Sequence, residues 1–515
     1  MLLVFLVLLI VAVVLAQAAL RYIYRPPSQV NRIATTALPP KPDCTLLQKL
    51  GETGNHRQGN SGIHILDDGA EAFAARRGLL RLAETSIDAQ YYMWNADLTG
   101  HLLLQEVLAA ADRGVRVRLL LDDNTTAGTD DILLAVNSHT NIEVRLFNPF
   151  MLRKPRTPNY LFDLRRVNRR MHNKSLTVDG VASIIGGRNI GDEYFNAHAD
   201  FEFADMDVLT VGAVVPQISK SFDEYWNSTS AYPLDHVLKV SGKTTLDHLQ
   251  KGFSELLTSE NALRYVQHVS NTPLAASGGQ VEFEWVPVEL VVDDPAKGRG
   301  DIPKRKLLFT SLEKKLGAVE HSINVATAYF VPGHIGSVYL SCTVRSGKTV
   351  RVLTNSLSSN DVVPVHAGYA RYRKRLLRDG VQLFEMRRLR EAVPVKHGGK
   401  KKIPRFGASN SSLHAKMFVL DERRVFIGSL NFDPRSIYLN CEMGLMIDSA
   451  RLGGKISRQM DQLVKGQTYL PFLEQGNRLR WRDTDGTVYR HEPGSTAQQR
   501  IVAWAISWLP VEWLL

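Results

Sequence analysis

Hydrophobic and polar positions divide the chain into an apolar leader, two similarly patterned blocks and a tail. Met1 to Leu20 carries no charge and reads LLVFLVLLIVAVVLAQAAL after the methionine. At 1.5 Å per residue this is about 30 Å of helix, enough to cross a bilayer core. A cleaved signal peptide competes, because Ala16-Gln17-Ala18 imitates a cleavage site, but the charged segment expected ahead of the apolar run is missing. The membrane anchor is the preferred reading. Positive charges follow the span at Arg21, Arg25, Arg32 and Lys41, which places the body on the cytoplasmic side of a bacterial inner membrane.

Further along, short β-rich runs alternate with helical stretches. Ser86-Ile-Asp-Ala-Gln-Tyr-Tyr returns 236 residues later as Ser322-Ile-Asn-Val-Ala-Thr-Ala-Tyr-Phe. Arg113-Gly-Val-Arg-Val-Arg-Leu-Leu-Leu returns as Ser346-Gly-Lys-Thr-Val-Arg-Val-Leu, and Val144-Arg-Leu-Phe as Val381-Gln-Leu-Phe. Strand, helix, strand, helix, strand in each block is the alternation that builds α/β sheets covered by helices. The chain therefore reads as a tandem duplication. The expected division is an anchor over 1–20, a Pro- and Gly-rich tether over 21–60, a first half over 61–235, a connecting region over 236–300, a second half over 301–470, and an extension over 471–515. The tail from Ile501 to Leu515 carries Trp504, Trp508 and Trp513. It reads equally as a headgroup-seeking segment or as a helix docked on the core.

Composition changes this picture little. With 44% hydrophobic and 22% charged residues the chain is globular, not disordered, collagenous or polytopic. Cys44, Cys342 and Cys441 are odd in number and far apart, which argues against a disulfide framework or a cysteine metal site. The net charge of +11 favours an anionic partner without choosing one.

The chemistry lies in a repeated motif. His172, Lys174, Asp179, Gly186, Gly187 and Asn189 are matched at the same spacing by His414, Lys416, Asp421, Gly428, Ser429 and Asn431. One H-x-K-x4-D arises by chance in roughly a few chains per hundred, but two copies with the same downstream pattern do not. Apolar β-branched residues on both sides of Asp179-Gly180 predict a hairpin with a two-residue turn, which projects His172 and Lys174 from one face of a strand. His172 then lies opposite Gly187, whose missing side chain leaves room for a substrate. Imidazole, ammonium and amide on one surface suit a phosphate. Asp179 and Asp421 sit in the turns, where a structural role is expected beside their motif position. Glu442 aligns with Asp205 as a carboxylate for orienting an imidazole, with Asp207 as runner-up. Asp122-Asp123-Asn124 ends a strand and either faces ligand or caps a helix. The basic runs Arg153 to Arg156, Arg165 to Arg170, Arg371 to Arg378 and Lys400 to Arg405 are solvated faces or a rim for an anionic lipid surface.

This pattern resembles the phospholipase D superfamily. Leu121-Asp-Asp-Asn, Arg170-Met-His-Asn-Lys-Ser, Gly186-Gly-Arg-Asn-Ile-Gly-Asp, Leu353-Thr-Asn-Ser-Leu, His366-Ala-Gly-Tyr-Ala-Arg, Ile427-Gly-Ser-Leu-Asn-Phe-Asp-Pro-Arg-Ser and Leu509-Pro-Val-Glu-Trp-Leu-Leu resemble its bacterial cardiolipin synthase C branch. The resemblance implies two α/β/α sandwich domains with one active site at their interface. It further implies that His172 attacks phosphorus to give a phosphohistidine and that His414 acts as acid and then base. Lys174, Lys416, Asn189 and Asn431 would hold the phosphoryl oxygens. The implied reaction makes cardiolipin from two phospholipids, phosphatidylglycerol being the acceptor and phosphatidylethanolamine or phosphatidylglycerol the donor, with no metal or other cofactor. The implied partners are phospholipids and an anionic membrane surface; the sequence names no accessory protein. A lipid hydrolase of the same superfamily is the first rival. A nucleic-acid phosphodiesterase is the second, disfavoured by the apolar leader and tryptophan tail, and a catalytically dead scaffold the third, disfavoured by two intact motifs.

Overall fold

A computed structural model describes the chain except for residues 30–31, 52–58, 198–204, 240–243, 361, 389–412, 510–511 and 513–515. Two mixed sheets form its frame. The first contains β1 (Ser61–Leu66), β2 (Ser86–Tyr91), β3 (Arg116–Asp122), β4 (Ile142–Phe147), β5 (Lys174–Val178), β6 (Ala182–Gly186), β7 (Asp207–Gly212), β8 (Ala231–Pro233) and β9 (Glu284–Val286). The second contains β10 (Val288–Val292), β11 (Ser322–Thr327), β12 (Thr349–Asn355), β13 (Gln382–Met386), β14 (Lys416–Leu420), β15 (Arg424–Gly428), β16 (Met443–Asp448), β17 (Thr468–Glu474), β18 (Arg478–Arg482) and β19 (Val488–Tyr489).

The strand order β4-β3-β2-β5-β6-β7-β1 in the first sheet is reproduced as β13-β12-β11-β14-β15-β16-β10 in the second. In each, a parallel trio is followed by an antiparallel hairpin, and β2 is buried at all its residues, as sheets covered on both faces require. The sheets meet through Ile185, Val208 and Ile63 of the first and Val425, Ile427 and Leu445 of the second, in one apolar cluster.

The stretch 236–300 is more than a connection. Helices Leu246–Leu257 and Glu260–Ser270 cover helices Gly69–Leu82 and Leu98–Asp112 of the first half, Tyr265 Oη donating to the Phe195 carbonyl at 2.8 Å. The chain then passes from one sheet to the other within one residue, Pro287, between β9 on β1 and β10 on β16. The tether over 21–60 is likewise largely a strap. Cys44 and Leu46 are fully buried, Arg32 donates to the carbonyls of Asn227 and Ser228, and Thr35 Oγ1 accepts from Trp226 Nε1 at 2.9 Å. Its prolines, Pro26, Pro27, Pro39, Pro40 and Pro42, keep most of the strap extended, and past them a short helix, Thr45–Gly51, carries the buried Leu46.

The extension is continuous with the second sheet, through β17 on β13 and then β18 and β19. Helix Ala497–Ser507, started by a Thr496/Gln499 capping box, packs on helix Val363–Arg378 through Ala503 and Ile506 while Trp504 and Trp508 face outward. The docked-helix reading of the tail thus holds for the described residues, with Trp504 and Trp508 left in solvent; Trp513 lies outside them. Helix Leu2–Ile23 is exposed along its length, and Gln17 and Arg21 touch the first half at the carbonyls of Leu161 and Phe162.

Candidate active site

The motif hairpins differ from expectation in their turns. Val178 pairs with Ala182 and Leu420 with Arg424, so three residues close each loop. Asp179 and Gly180, and Asp421 and Glu422, take left-handed backbone angles that turn the chain before the third residue rejoins the ladder. The one-residue change in loop length shifts the register, and Lys174 and Lys416 begin the strands with the histidines just before them.

The backbone entering each histidine is held by the end of the strand one removed from the hairpin, β3 across β2 and β12 across β11. Asp122 at the end of β3 accepts from Met171 N at 2.7 Å and from buried Arg170 at 3.1 Å. Asn355 at the end of β12, the corresponding position, brackets Leu413 with bonds of 3.1 Å to its N–H and 2.9 Å to its carbonyl. Asp122 is therefore neither a helix cap nor a ligand-facing group; it fixes the backbone entering His172. The second half then closes over it, with His172 N–H donating to the Cys441 carbonyl at 2.8 Å and Cys441 N–H to the Arg170 carbonyl at 2.8 Å.

The orienting carboxylates are exchanged between the halves. His172 Nδ1 lies 2.8 Å from Glu442 Oε2, and His414 Nδ1 lies 2.6 Å from Asp205 Oδ2. Carboxylate and imidazole are both buried in each pair. A ring whose Nδ1–H is held by a carboxylate presents its Nε2 lone pair to the site. Burial lowers the His172 pKa to about 4 against the pull of Glu442, and lowers that of His414 as well, with Lys416 adding to the effect. The carboxylates also shift down: burial alone would raise them, but the facing imidazoles and lysines hold both Asp205 and Glu442 below the usual range.

Gly187 does not make room for substrate. A Cβ there would stand 2.2 Å from Asp205 Oδ1, so the missing side chain admits that carboxylate. At the matching position the Ser429 hydroxyl donates to Glu442 Oε2. Asp207, the runner-up, is fully buried against Arg76 at 2.9 Å and Arg188 at 3.5 Å, so its charge is already matched away from the histidines.

Lys174 Nζ donates to the His172 carbonyl at 2.7 Å, and Lys416 Nζ donates to the His414 carbonyl. Burial brings Lys174 down to about 7, Glu442 opposing and Lys416 reinforcing the shift. Asn189 donates to Tyr194 Oη at 2.9 Å, and the carbonyl oxygens of Asn189 and Asn431 are buried without a partner among the described residues. The two histidines and two lysines thus converge, each lysine acting on both imidazoles, and Asn189 joins them through Tyr194 beside His414. Asp179 and Asp421 do not join them: at the far ends of their strands, they accept from Glu84, Thr85 and Ser86 and from Glu320, His321 and Ser322, and so tie the chain entering β2 and β11.

Three contributions escape sequence reasoning. Tyr92 packs edge-on with His172 and Tyr194 with His414, ring centroids 5.1 Å apart in each pair; both come from the first half, so the aromatic walls break the twofold pattern. Asp293 accepts from Glu442 N at 3.0 Å and is paired with buried Lys297 at 2.7 Å, bracing the carboxylate behind His172. Tyr92 and Asp293 each directly follow a strand, which is the only local signal they carry. Much of the expected basic rim is engaged internally, as Arg153 and Arg156 face Asp123 and Asp130; Lys400 to Arg405 lie outside the described residues. Among the described residues no group of three or more His, Cys, Asp or Glu is arranged for a metal ion.

Comparison with known proteins agrees with this duplicated geometry. A family model described as "Cardiolipin synthase, PLD-like domain" matches residues 77–226 and 312–464, once in each half. Cardiolipin synthase C of Escherichia coli (strain K12) is 43% identical over 465 residues, 89% of this chain and 97% of that protein. Cardiolipin synthase B of the same organism is 25% identical over 409 residues, covering 79% and 81%. Among solved structures, phosphatidylserine synthase of Haemophilus influenzae Rd KW20 shares the fold, with a TM-score of 0.54 over 90% of this chain and 99% of that one at 14% identity.

Proposed function

The chain belongs to the cardiolipin synthase family of phospholipase D-like proteins, and from that premise we propose that it is a phosphatidyltransferase joining two phospholipids into cardiolipin through a phosphohistidine. The exchange of carboxylates carries the reading: two imidazoles, each held at Nδ1 by a carboxylate of the opposite half, flank two buried lysines. In the first step His172 Nε2 attacks the donor's phosphorus. The bond from phosphorus to the headgroup oxygen breaks, and His414 gives that oxygen a proton, releasing ethanolamine or glycerol. In the second step a glycerol hydroxyl of phosphatidylglycerol loses its proton to His414 Nε2 and attacks phosphorus. The N–P bond breaks, cardiolipin leaves and His172 is restored.

His414 must carry a proton to act first as acid, although burial and Lys416 disfavour it in the free site. A bound phosphodiester supplies the missing negative charge beside Lys174 and Lys416 and draws a proton onto His414. The same lysines, with Asn189 and Asn431, then face the charge that grows on the phosphoryl oxygens in the pentacoordinate transition state. Assignment of nucleophile and acid follows the motif resemblance, since the two pairs are nearly equivalent. Helix Leu2–Ile23 fixes the protein in the inner membrane, and the arginines after it favour a cytoplasmic body.

Lipid extracts from cells with and without expression test the reaction. Cardiolipin should accumulate at the expense of phosphatidylglycerol, and purified protein given labelled phosphatidylethanolamine and phosphatidylglycerol should put the label in cardiolipin. Label recovered only in phosphatidic acid would make the enzyme a hydrolase.

A further inference from the structure

A cavity of about 480 Å³ lies between helix Val363–Arg378, β18 and helix Ala497–Ser507. Its walls carry Lys374, Arg478, Arg480, Arg490 and Arg500 against one carboxylate, Glu492. That carboxylate is engaged from the side by Arg373 and by His366 Nε2 at 3.2 Å. Arg480 pairs with Glu474 at 3.2 Å and Arg500 donates to the Ser495 carbonyl at 2.7 Å, whereas Lys374, Arg478 and Arg490 form no ion pair among the described residues. His366 also lines the cavity; it is 1% exposed, and its Nδ1 has no hydrogen-bond partner among the described residues. Cations gathered around one concavity repel one another, and an anion seated there converts that repulsion into attraction.

The neighbouring surface narrows the choice of anion. Trp504, a wall of the cavity, is 64% exposed and Trp508 is 75% exposed, with Ile501 and Leu509 also in solvent. Exposed tryptophans beside unpaired cations match the headgroup layer of a bilayer, where an indole lies at the interface and a phosphate lies within reach of arginine. The cavity also adjoins the catalytic edge, for its wall includes Leu357, two residues beyond the Asn355 that brackets the backbone before His414.

We propose that this cavity binds the phosphate of an anionic phospholipid in the bilayer, outside the reaction centre, with Trp504 and Trp508 lodged in the interface beside it. The site rests on the reading that the protein works on membrane lipids, and it would hold the second half against the surface as the N-terminal helix holds the first.

The test uses hydrogen exchange on the full chain in nanodiscs of phosphatidylcholine alone or with one third phosphatidylglycerol. Exchange across residues 497–507 and 478–482 should slow about threefold or more in the anionic discs. A protein carrying Lys374→Gln, Arg478→Gln and Arg490→Gln should lose that slowing while β11 and β12 exchange as before. If the triple variant loosens those strands, Lys374→Gln alone should remove part of the effect. Equal exchange in both discs would overturn the proposal, as would the same slowing produced in detergent by millimolar inorganic phosphate, which would mark a free-anion site. Cardiolipin formation is assayed separately, so a protein that makes cardiolipin without this protection would lose the site and keep the reaction.

Discussion

Gly187 and Ser429 hold the same place in the two motifs and treat the two carboxylates differently. The glycine admits Asp205, and the serine bonds Glu442. Gly187→Ala should therefore displace Asp205 and cripple His414 as the acid. Turnover of a natural donor should fall about 100-fold or more, while a p-nitrophenyl donor, whose leaving group needs no proton, should form the covalent intermediate almost normally. Equal loss on both donors, measured in single-turnover experiments, would argue against this route. The histidines, lysines and asparagines were legible from spacing alone because the motif repeats. Pairing of His172 with Glu442 and His414 with Asp205 was not, because each bond crosses between halves more than 200 residues apart in sequence. Nor could sequence decide between Asp205 and Asp207, since the arginines that neutralise Asp207 come from elsewhere in the chain.

The motif hairpin is the element that brings these groups together, and its far end is structural. Asp179 is fully buried and accepts from three successive backbone N–H groups and the Thr85 hydroxyl. Removing that acceptor strands buried donors, so Asp179→Ala should cost about 3 kcal/mol or more of stability. Thermal unfolding should show the loss, whereas turnover per folded molecule should stay near that of the parent; a specific fall in turnover with an unchanged melting temperature would instead give Asp179 a catalytic role. The hairpin itself was readable from the apolar flanks of Asp179-Gly180. Its loop length was not, because Asp-Gly suits a two-residue turn and a three-residue loop alike, and Glu422 reaches the same left-handed backbone in the second copy.

At the scale of the whole molecule, two similar halves are tied by segments that the repeat pattern does not describe. The duplicated sheets follow from the alternation of strands and helices. The strap over 21–60, the helices between the halves and the C-terminal strands carry no repeat, and they are ordered by what they touch. The N-terminal helix meets the first half only toward its C-terminal end, at Gln17 and Arg21, and leaves its apolar surface exposed. Deleting residues 1–25 should leave the fold intact and convert an integral protein into a peripheral one. Membrane fractions washed with high salt should then release the truncated protein but not the full chain, because polar attraction to the surface is screened and a span is not. Retention of the truncated protein after such a wash would move the principal anchor to another part of the chain. A mature N-terminus beginning after Ala18, read by mass spectrometry, would make the leader a signal peptide.

The proposed division of one reaction between two histidines can be tested by trapping its intermediate. With a p-nitrophenyl phosphodiester lipid as donor, acid-sensitive label should accumulate on His172 in the His414→Ala protein, because His414 is needed to activate the acceptor but not to expel this leaving group. Rapid quench at neutral or alkaline pH followed by peptide mapping should find that label, and the His172→Ala protein should carry none. Label on His414 in the His172→Ala protein would reverse the assignment, and absence of covalent label from both proteins and from the parent would contradict the two-step account.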